Sequence, residues 1–386
     1  MTVEAWAKRL LVSSTFTQAT MYVVRPFITY RAIEIDAGAT AIGIIGAIYA
    51  LFPVLLALKF GSWVGKYGEG RFLVVGTGSL IASSTALIFA HDIFSLAAAT
   101  AFAGLAHLAL MVGGQTMVAL RSPKSEYNKL FGYYTFSASL GQMIGPVIAG
   151  LLAGSLANGL PKQSNNAFIF AICLASFALI PVFSWRRNAP TIAASDDQQN
   201  TWAAAKSMLS RKEISLAVFI SLAISTTGDL LVIFLPLLGK ERAIDPALIG
   251  LILSLRALGS MISRFSLGLI SKKIDDRNLL LITTTVAAIS LAAMVYTNNP
   301  IALGALVFLS GLMLGFGQPL TMAIVSHRTK PDERALAISA RLTGNRLGQF
   351  ILPIIAGLLT SAAGAGAAFW SMAGLLSLGF IAARSE

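Results

Sequence analysis

The sequence predicts an all-α membrane protein of twelve transmembrane helices, arranged as two pseudo-symmetric six-helix bundles. Three observations carry that prediction. Of 386 residues, 56% are hydrophobic and only 12% charged, with a mean hydropathy of +0.75, whereas water-soluble domains run at roughly 45–50% apolar and about 25% charged. A soluble fold could not cover that much apolar surface with so few charges. The apolar residues also fall into twelve runs long enough to cross a hydrocarbon core of about 30 Å. Finally, the chain repeats itself: a shift of 207 residues lays the run 140–152 on the run 347–359 with ten of thirteen positions identical. The same shift pairs Ile42-Gly43 with Ile249-Gly250 and Gly61 with Gly268. Two parallel repeats with a site between them is a transporter arrangement. Disorder is excluded by the apolar content, a disulfide scaffold by the single Cys173, and a porin-like barrel by the lack of short alternating segments.

The runs can be justified in order. The first, 10–30, follows Lys8 and Arg9 as a signal peptide would, but it holds Arg25 and Pro26 and lacks a small-residue cleavage site, so it reads as a retained helix. The second, 40–63, has Lys59 near its inner end, where a lysine snorkels to the interface. The third, 72–91, is uncharged; the fourth, 93–120, holds His107 at mid-span and then Gln115. In the fifth, 130–154, Gly141 and Gly145 share a face for close helix approach, and Pro146 removes one amide donor and bends the helix. The sixth, 166–184, is uncharged. A polar stretch at 186–213, with a segment at 202–209 able to form a short surface helix, reads as a cytoplasmic linker between bundles at 1–185 and 214–386. The seventh run, 214–238, contains Asp229, and the eighth, 247–271, contains Arg256 and Arg264. The ninth, 278–297, and the twelfth, 366–383, are uncharged. Between them, the tenth, 300–325, has Gln318 beside Pro319, and the eleventh, 335–360, carries Arg341, Asn345 and Arg346.

Orientation follows from the basic residues. Of 29 Lys and Arg, nineteen fall in the loops and ends on the N-terminal side, four (Arg31, Lys162, Lys240, Arg242) in the loops opposite, and six within runs. That bias places both termini in the cytoplasm. The net charge of +12 could suggest nucleic-acid binding, but these charges sit in short gaps between apolar runs and form no single basic face.

Motifs narrow the class. The loop after the second run reads Gly61-Ser62-Trp63-Val64-Gly65-Lys66-Tyr67-Gly68-Glu69-Gly70-Arg71. With Gly61, Lys66 and Gly68 it resembles the loop signature Gly-x-Leu-x-Asp-Arg/Lys-x-Gly-Arg/Lys of the major facilitator superfamily of secondary transporters, with Gly65 where the family has its acid and the basic Arg71 just past the pattern. The C-terminal copy has Lys272 at that position. In the fifth run, Gly141, Gly145, Pro146 and Gly150 resemble the superfamily's antiporter signature Gly-x-x-x-Gly-Pro-x-x-Gly-Gly, lacking only its last glycine. The resemblance spans the whole chain. It implies that runs 1, 4, 7 and 10 line a cavity supported by 2, 5, 8 and 11, that 3, 6, 9 and 12 face lipid, and that the motif glycines with Lys66 and Arg71 serve gating; Arg264, near the inner end of its run, is a further gating candidate by position. A phosphate-binding loop is not present: the Gly61–Tyr67 stretch has the wrong glycine spacing and ends in Tyr67. No catalytic or metal-binding constellation stands out, so an enzyme is not expected; nor is a cofactor beyond a proton gradient.

A charge at mid-bilayer costs roughly 2.5–3.5 kcal/mol on insertion scales, so each one needs a partner or an aqueous cavity. Asp229 is the one acid well inside a run. It is either a proton carrier or one half of a permanent ion pair with Arg25 or Arg256. His107 is a second proton-coupling candidate, with a packing role as the alternative. Arg25, Arg256, Arg341 and Arg346 outnumber Asp229, and guanidinium groups bind carboxylates and phosphates through paired hydrogen bonds. An anionic substrate follows, with Asn345, Gln115, Gln318, Tyr22 and Tyr49 as further binding candidates. The expected protein is a monomeric carrier of a bacterial inner membrane exporting a small organic anion, a carboxylate-rich or siderophore-like compound, in exchange for protons. Multidrug efflux and proton-coupled uptake of an organic anion are the alternatives within transport; a sensor or scaffold that has lost transport is the alternative outside it.

Overall fold

The computed structural model describes residues 4–123, 126–187, 211–327, 329 and 334–384. Among them the regular structure is helical, with twelve α-helices: α1 Ala5–Glu34, α2 Ala39–Tyr67, α3 Glu69–Ile88, α4 Ile93–Arg121, α5 Tyr127–Ala153, α6 Ser164–Val182, α7 Lys212–Glu241, α8 Pro246–Ile270, α9 Asp276–Met294, α10 Pro300–His327, α11 Arg334–Ala363 and α12 Gly366–Arg384. A short 3-10 turn, Phe183–Arg187, follows α6. All but the ends of the expected linker at 186–213, including its surface helix at 202–209, lie outside the described residues.

Local chemistry explains where helices start and stop. Asp92 caps α4 through bonds from the Phe94 and Ser95 backbone amides, with Ser95 returning a bond to close a capping box. Asp245 caps α8 ahead of Pro246, whose missing N–H costs nothing at a helix's first turn. Between α2 and α3 the chain turns on Gly68, at φ 90°, a conformation that side chains disfavour. This explains the glycine of that motif locally.

Ten of the helices are long and apolar enough to cross a membrane; α1 and α12 fall outside that group. The apolar run of α12, Gly366–Ile381, is merely short. On α1 the reason is polarity: Ser13, Ser14, Thr17, Gln18, Thr20, Arg25 and Arg31 are all buried. They face protein, so the helix does not need a lipid-compatible surface all round.

Helix packing repeats in the two halves. In the first, α1 packs on α5 and α6, α2 on α4, and α3 on α4 and α6; in the second, α7 packs on α11 and α12, α8 on α10, and α9 on α10 and α12. Each pairing has its counterpart six helices on. The halves meet along α5–α8, α2–α11 and α1–α7. Lipid-facing side chains such as Val75 on α3, Phe177 on α6, Ile289 on α9 and Leu378 on α12 stand on the outer surface.

Both α5–α8 and α2–α11 cross through glycine, and the two crossings use equivalent residues. A Cβ built on Gly250 of α8 would overlap Pro146 O of α5, and one on Gly43 of α2 would overlap Pro353 O of α11. Reciprocally, a Cβ on Gly150 would come within 2.6 Å of Pro246 O, and one on Gly357 within 2.8 Å of Ala39 O. Every one of these residues maps onto its counterpart under the 207-residue shift. Both crossings lie on the side of the bundle away from the chain termini. There α1 is buried continuously from Val23 to Ala32, and α7 from Leu230 to Gly239. On the termini side, Val12 of α1, Ser215 of α7 and Gln115 of α4 are exposed. The hollow between the halves is therefore shut on the far side and open toward the termini.

Candidate functional site

At the blind end of this hollow α1 and α7 bring opposite charges together. Arg25 Nη1 donates to Asp229 Oδ1, an ion pair joining the two halves. Of the partners left open by the sequence, Asp229 takes Arg25. Spacing could not decide this, because Arg256 approaches the same helix: its Nη1 lies 3.7 Å from the position of a Cβ on Gly228.

Arg25 also lies over the ring of Tyr49 on α2, 4.8 Å from its centroid, a geometry in which the ring quadrupole attracts the cation. Tyr49 carries the network on to α4. Its hydroxyl is 2.7 Å from His107 Nδ1, and Gln18 Nε2 lies 3.4 Å from His107 Nε2. Because the Gln18 amide is a donor, the ring proton is assigned to Nδ1, which donates to Tyr49. Gln142 of α5 completes the chain by donating to Gln18 Oε1 at 3.1 Å. Tyr49 thus lies directly behind the ion pair and His107 one contact further back.

Arg256 of α8 stacks over Tyr22 of α1, 5.5 Å from the ring centroid. It is nine-tenths buried, and its Nε and Nη2 have no hydrogen-bond partner among the described residues. Arg346 of α11 donates to Gln349 at 2.9 Å and is close enough to Asp229, Tyr49 and Arg25 to interact electrostatically. Arg264 donates to Ser139 Oγ of α5 at 3.1 Å and lies within electrostatic reach of Arg256 and Tyr22. It therefore tethers the two halves on the open side of the cluster. Beyond Arg25, toward the far side, a small pocket is lined by Ile28, Ile42, Ile45 and Ile233 together with Arg25, Thr29, Tyr49 and Thr100.

Other candidates lie elsewhere. Arg341 Nη1 donates to Ser221 Oγ (2.8 Å), Gln318 Oε1 (2.9 Å) and Thr321 Oγ1 (3.3 Å), and Asn345 reaches the same Gln318 oxygen at 3.5 Å. This cluster joins α7, α10 and α11 inside the C-terminal half. Gln115 stands exposed one turn beyond Met111, the residue whose sulfur contacts Gln18. Of the antiporter-type glycines, Gly141 and Gly145 lie against the α1 backbone at Thr15 and Ala19, while Gly150 crosses to α8. The motif expected in a loop lies mostly on the helices: Gly61 is within α2, Lys66 is exposed on its last turn, 5.5 Å from the Tyr67 ring, and Arg71 is exposed on the first turn of α3, so that Gly68 alone separates the two helices.

Two features escaped the sequence reading. Glu69, buried on the first turn of α3, accepts from Arg121 Nε at 2.9 Å and Nη2 at 2.7 Å, and Arg121 lies over Trp185. The loop's acid is therefore present, four residues beyond the Gly65 position. The other is Gln18; its signal was the Leu-Gly-Gln triplet shared by the repeats, since Gln142 bonds Gln18 while Gln349 bonds Ser225, the residue equivalent to Gln18.

Comparison with known proteins agrees with this architecture. A Major Facilitator Superfamily model matches residues 10–242 and 214–385. The chain is 22% identical over 362 residues to the multi-drug resistance efflux pump PmrA homolog of Lactococcus lactis, covering 91% of this chain and 87% of that protein. It is 23% identical over 379 residues to multidrug resistance protein MdtG of Yersinia enterocolitica, covering 94% and 89%. Among solved structures, a mutant of the nucleoside transporter NupG superposes with a TM-score of 0.83 at 12% identity, covering 98% of this chain and 99% of that one. An inward-facing bacterial homolog of the human lysosomal transporter Spinster superposes at 0.74 and 13%, covering 100% and 98%. Matched along essentially its whole length, the chain belongs to the Major Facilitator Superfamily and is a multi-pass membrane transporter, not an enzyme.

Proposed function

We propose that this transporter exports an organic anion in exchange for protons, rocking its two halves about the Arg25–Asp229 pair. The reading places the chain as a monomer in a bacterial inner membrane with both termini in the cytoplasm, so that the hollow faces the cytoplasm in this structure. It needs no cofactor beyond the proton gradient.

The observation that carries the proposal is the ion pair itself, which spans the halves where the hollow ends. While Asp229 is ionised and paired, the halves are tied together on the far side and the empty carrier stays shut. Two ligands can release the tie. A proton on Asp229 removes its charge; an anion held within the arginine cluster weakens the hold of Arg25 on Asp229, which then has Arg346 within electrostatic reach. A lock that either ligand opens, and that stays closed when neither is bound, is what exchange requires. The cluster's charge favours an anion, since Arg25, Arg256 and Arg346 face the single carboxylate of Asp229. The similarity to multidrug efflux proteins supports the outward direction.

A second reading rests on the same pair. Because Arg25 is the partner of Asp229, protonating Asp229 frees a guanidinium, which would let proton and anion bind together and would produce co-transport. Proteoliposomes distinguish the two. Exchange predicts that an acidic exterior accelerates anion efflux and that anion binding does not take up protons, whereas co-transport predicts tighter anion binding as pH falls. Asp229→Asn should retain anion–anion counterflow yet lose acceleration by the gradient. Gradient-driven accumulation that survives Asp229→Asn would remove Asp229 from coupling and overturn the mechanism.

A further inference from the structure

The arginines of the hollow differ in what already occupies them. Arg25 is committed to Asp229, Arg346 donates to Gln349 and Arg264 to Ser139, while Arg341 is held inside the C-terminal half. Arg256 differs in having a whole fork open: it is nine-tenths buried, its plane is fixed against Tyr22, and both Nε and Nη2 have no partner among the described residues, whereas Arg341 lacks one at Nε alone. A buried cation with orphaned donors is costly unless something compensates it. Nε with one Nη of the same guanidinium forms the planar fork that accepts a carboxylate or phosphonate with two parallel bonds.

The apolar pocket lies on the same helix, a fixed distance away. Tyr22 and Ile28 of α1 are six residues apart, about 9 Å along the axis. Arg25 and Tyr49 lie between them at the pocket's edge, and Ile28, Ile42, Ile45 and Ile233 form its walls. We infer that Arg256 and this pocket are the two ends of one binding site, taking an amphiphilic anion: a carboxylate or phosphonate head on the Arg256 fork, and an apolar body extending past Tyr49 into the isoleucine pocket. This inference rests on the reading of the hollow as an anion-transport site and makes it more specific. A substrate charged along its length, such as a polycarboxylate, does not fit, because four isoleucines dominate the pocket and its Thr29 and Thr100 hydroxyls already donate to backbone carbonyls. Compounds sharing only the apolar body would bind weakly through the pocket alone.

The test uses equilibrium binding to purified full-length protein with no proton gradient, so that it can fail independently of the coupling mechanism. Radiolabelled 2-naphthoate is the probe, competed by unlabelled 2-naphthoate, by 2-naphthamide (body without charge) and by acetate (head without body). The wild type should bind the acid at least tenfold more tightly than the amide, and acetate should compete weakly. Arg256→Gln should bring acid and amide to equal affinity, Arg256→Lys should restore part of the difference, and Ile45→Phe, which fills the pocket, should weaken naphthoate while leaving acetate competition unchanged. Asp229→Asn should keep the preference for the acid. If the acid preference survives Arg256→Gln in a monodisperse sample, the head is elsewhere and the assignment falls while anion transport stands. If wild-type protein shows no displaceable naphthoate binding, or no preference over the amide, the amphiphilic-anion site is refuted.

Discussion

If the glycine crossings set the closed state of the far side, one methyl group should open it. Gly250→Ala is the sharpest such change. The added Cβ would overlap Pro146 O and lie 2.8 Å from Pro146 C and 3.2 Å from Val147 N. All three are backbone atoms, so no side chain can swing aside and α5 must part from α8. Forcing an extra methyl into a close-packed contact costs about 1–3 kcal/mol. At about 2 kcal/mol, and 1.4 kcal/mol per tenfold, the far-closed population should fall roughly 30-fold relative to the open one. Spin labels report this directly. With Cys173 replaced by Ser, labels at Ala157 and Asn298 stand on exposed far-side loops, one in each half. Pulsed dipolar spectroscopy should find one short distance in the wild-type background and a dominant longer one in Gly250→Ala. Gly78→Ala on α3 is the control, because a Cβ there meets nothing within 4 Å. Gly43→Ala, at the equivalent crossing, should reproduce the effect. An unchanged distance distribution in Gly250→Ala would show that these crossings do not hold the far side shut.

Two further outcomes follow from buried charge. Glu69→Ala strands Arg121, which is partly exposed and keeps its contact with Trp185; the loss should be about 3 kcal/mol, at the lower end of the range for breaking a buried pair, and should appear as a lower thermal midpoint unaffected by ligand. An unchanged midpoint would mean that the Glu69–Arg121 pair contributes nothing net. Arg341→Met should also lower the midpoint, because the Ser221, Gln318 and Thr321 oxygens lose a shared donor, yet the preference for 2-naphthoate over its amide should persist; if that preference disappears, Arg341 belongs to the binding site.

How much of this was legible in the sequence depended on range. Helices were legible because each is a local pattern of hydropathy, and even α1, the most polar of them, was legible by its length and by Arg25 and Pro26, which set it apart from a signal peptide. The glycine crossings were legible in part: the repeat identified Gly43, Gly150, Gly250 and Gly357, but nothing in one strand of text says that Gly43 meets Gly357 while Gly150 meets the start of α8. Partner choice was not legible at all. Asp229 faced several arginines on other helices, and only packing could select Arg25. Glu69 was passed over because the acid was sought at position 65, whereas its partner Arg121 lies 52 residues away, beyond any motif.

The repeat also separates the mechanical residues from the chemical ones. Where the 207-residue shift preserves identity, as at Gly43/Gly250, Pro146/Pro353, Gly150/Gly357 and Gln142/Gln349, the residues make backbone crossings or interhelical bonds that both halves need in order to close on one another. Where it breaks, the halves differ in charge: Tyr22 corresponds to Asp229, and Tyr49 to Arg256. The N-terminal half presents two rings where the C-terminal half presents an acid and a base, and the structure uses that mismatch directly. Arg256 stacks over Tyr22, the ring equivalent to Asp229, and Arg25 over Tyr49, the ring equivalent to Arg256. Asp229 is instead paired with Arg25, whose own equivalent is Val232, and Arg256 is left stacked on a ring with two donors unpartnered among the described residues.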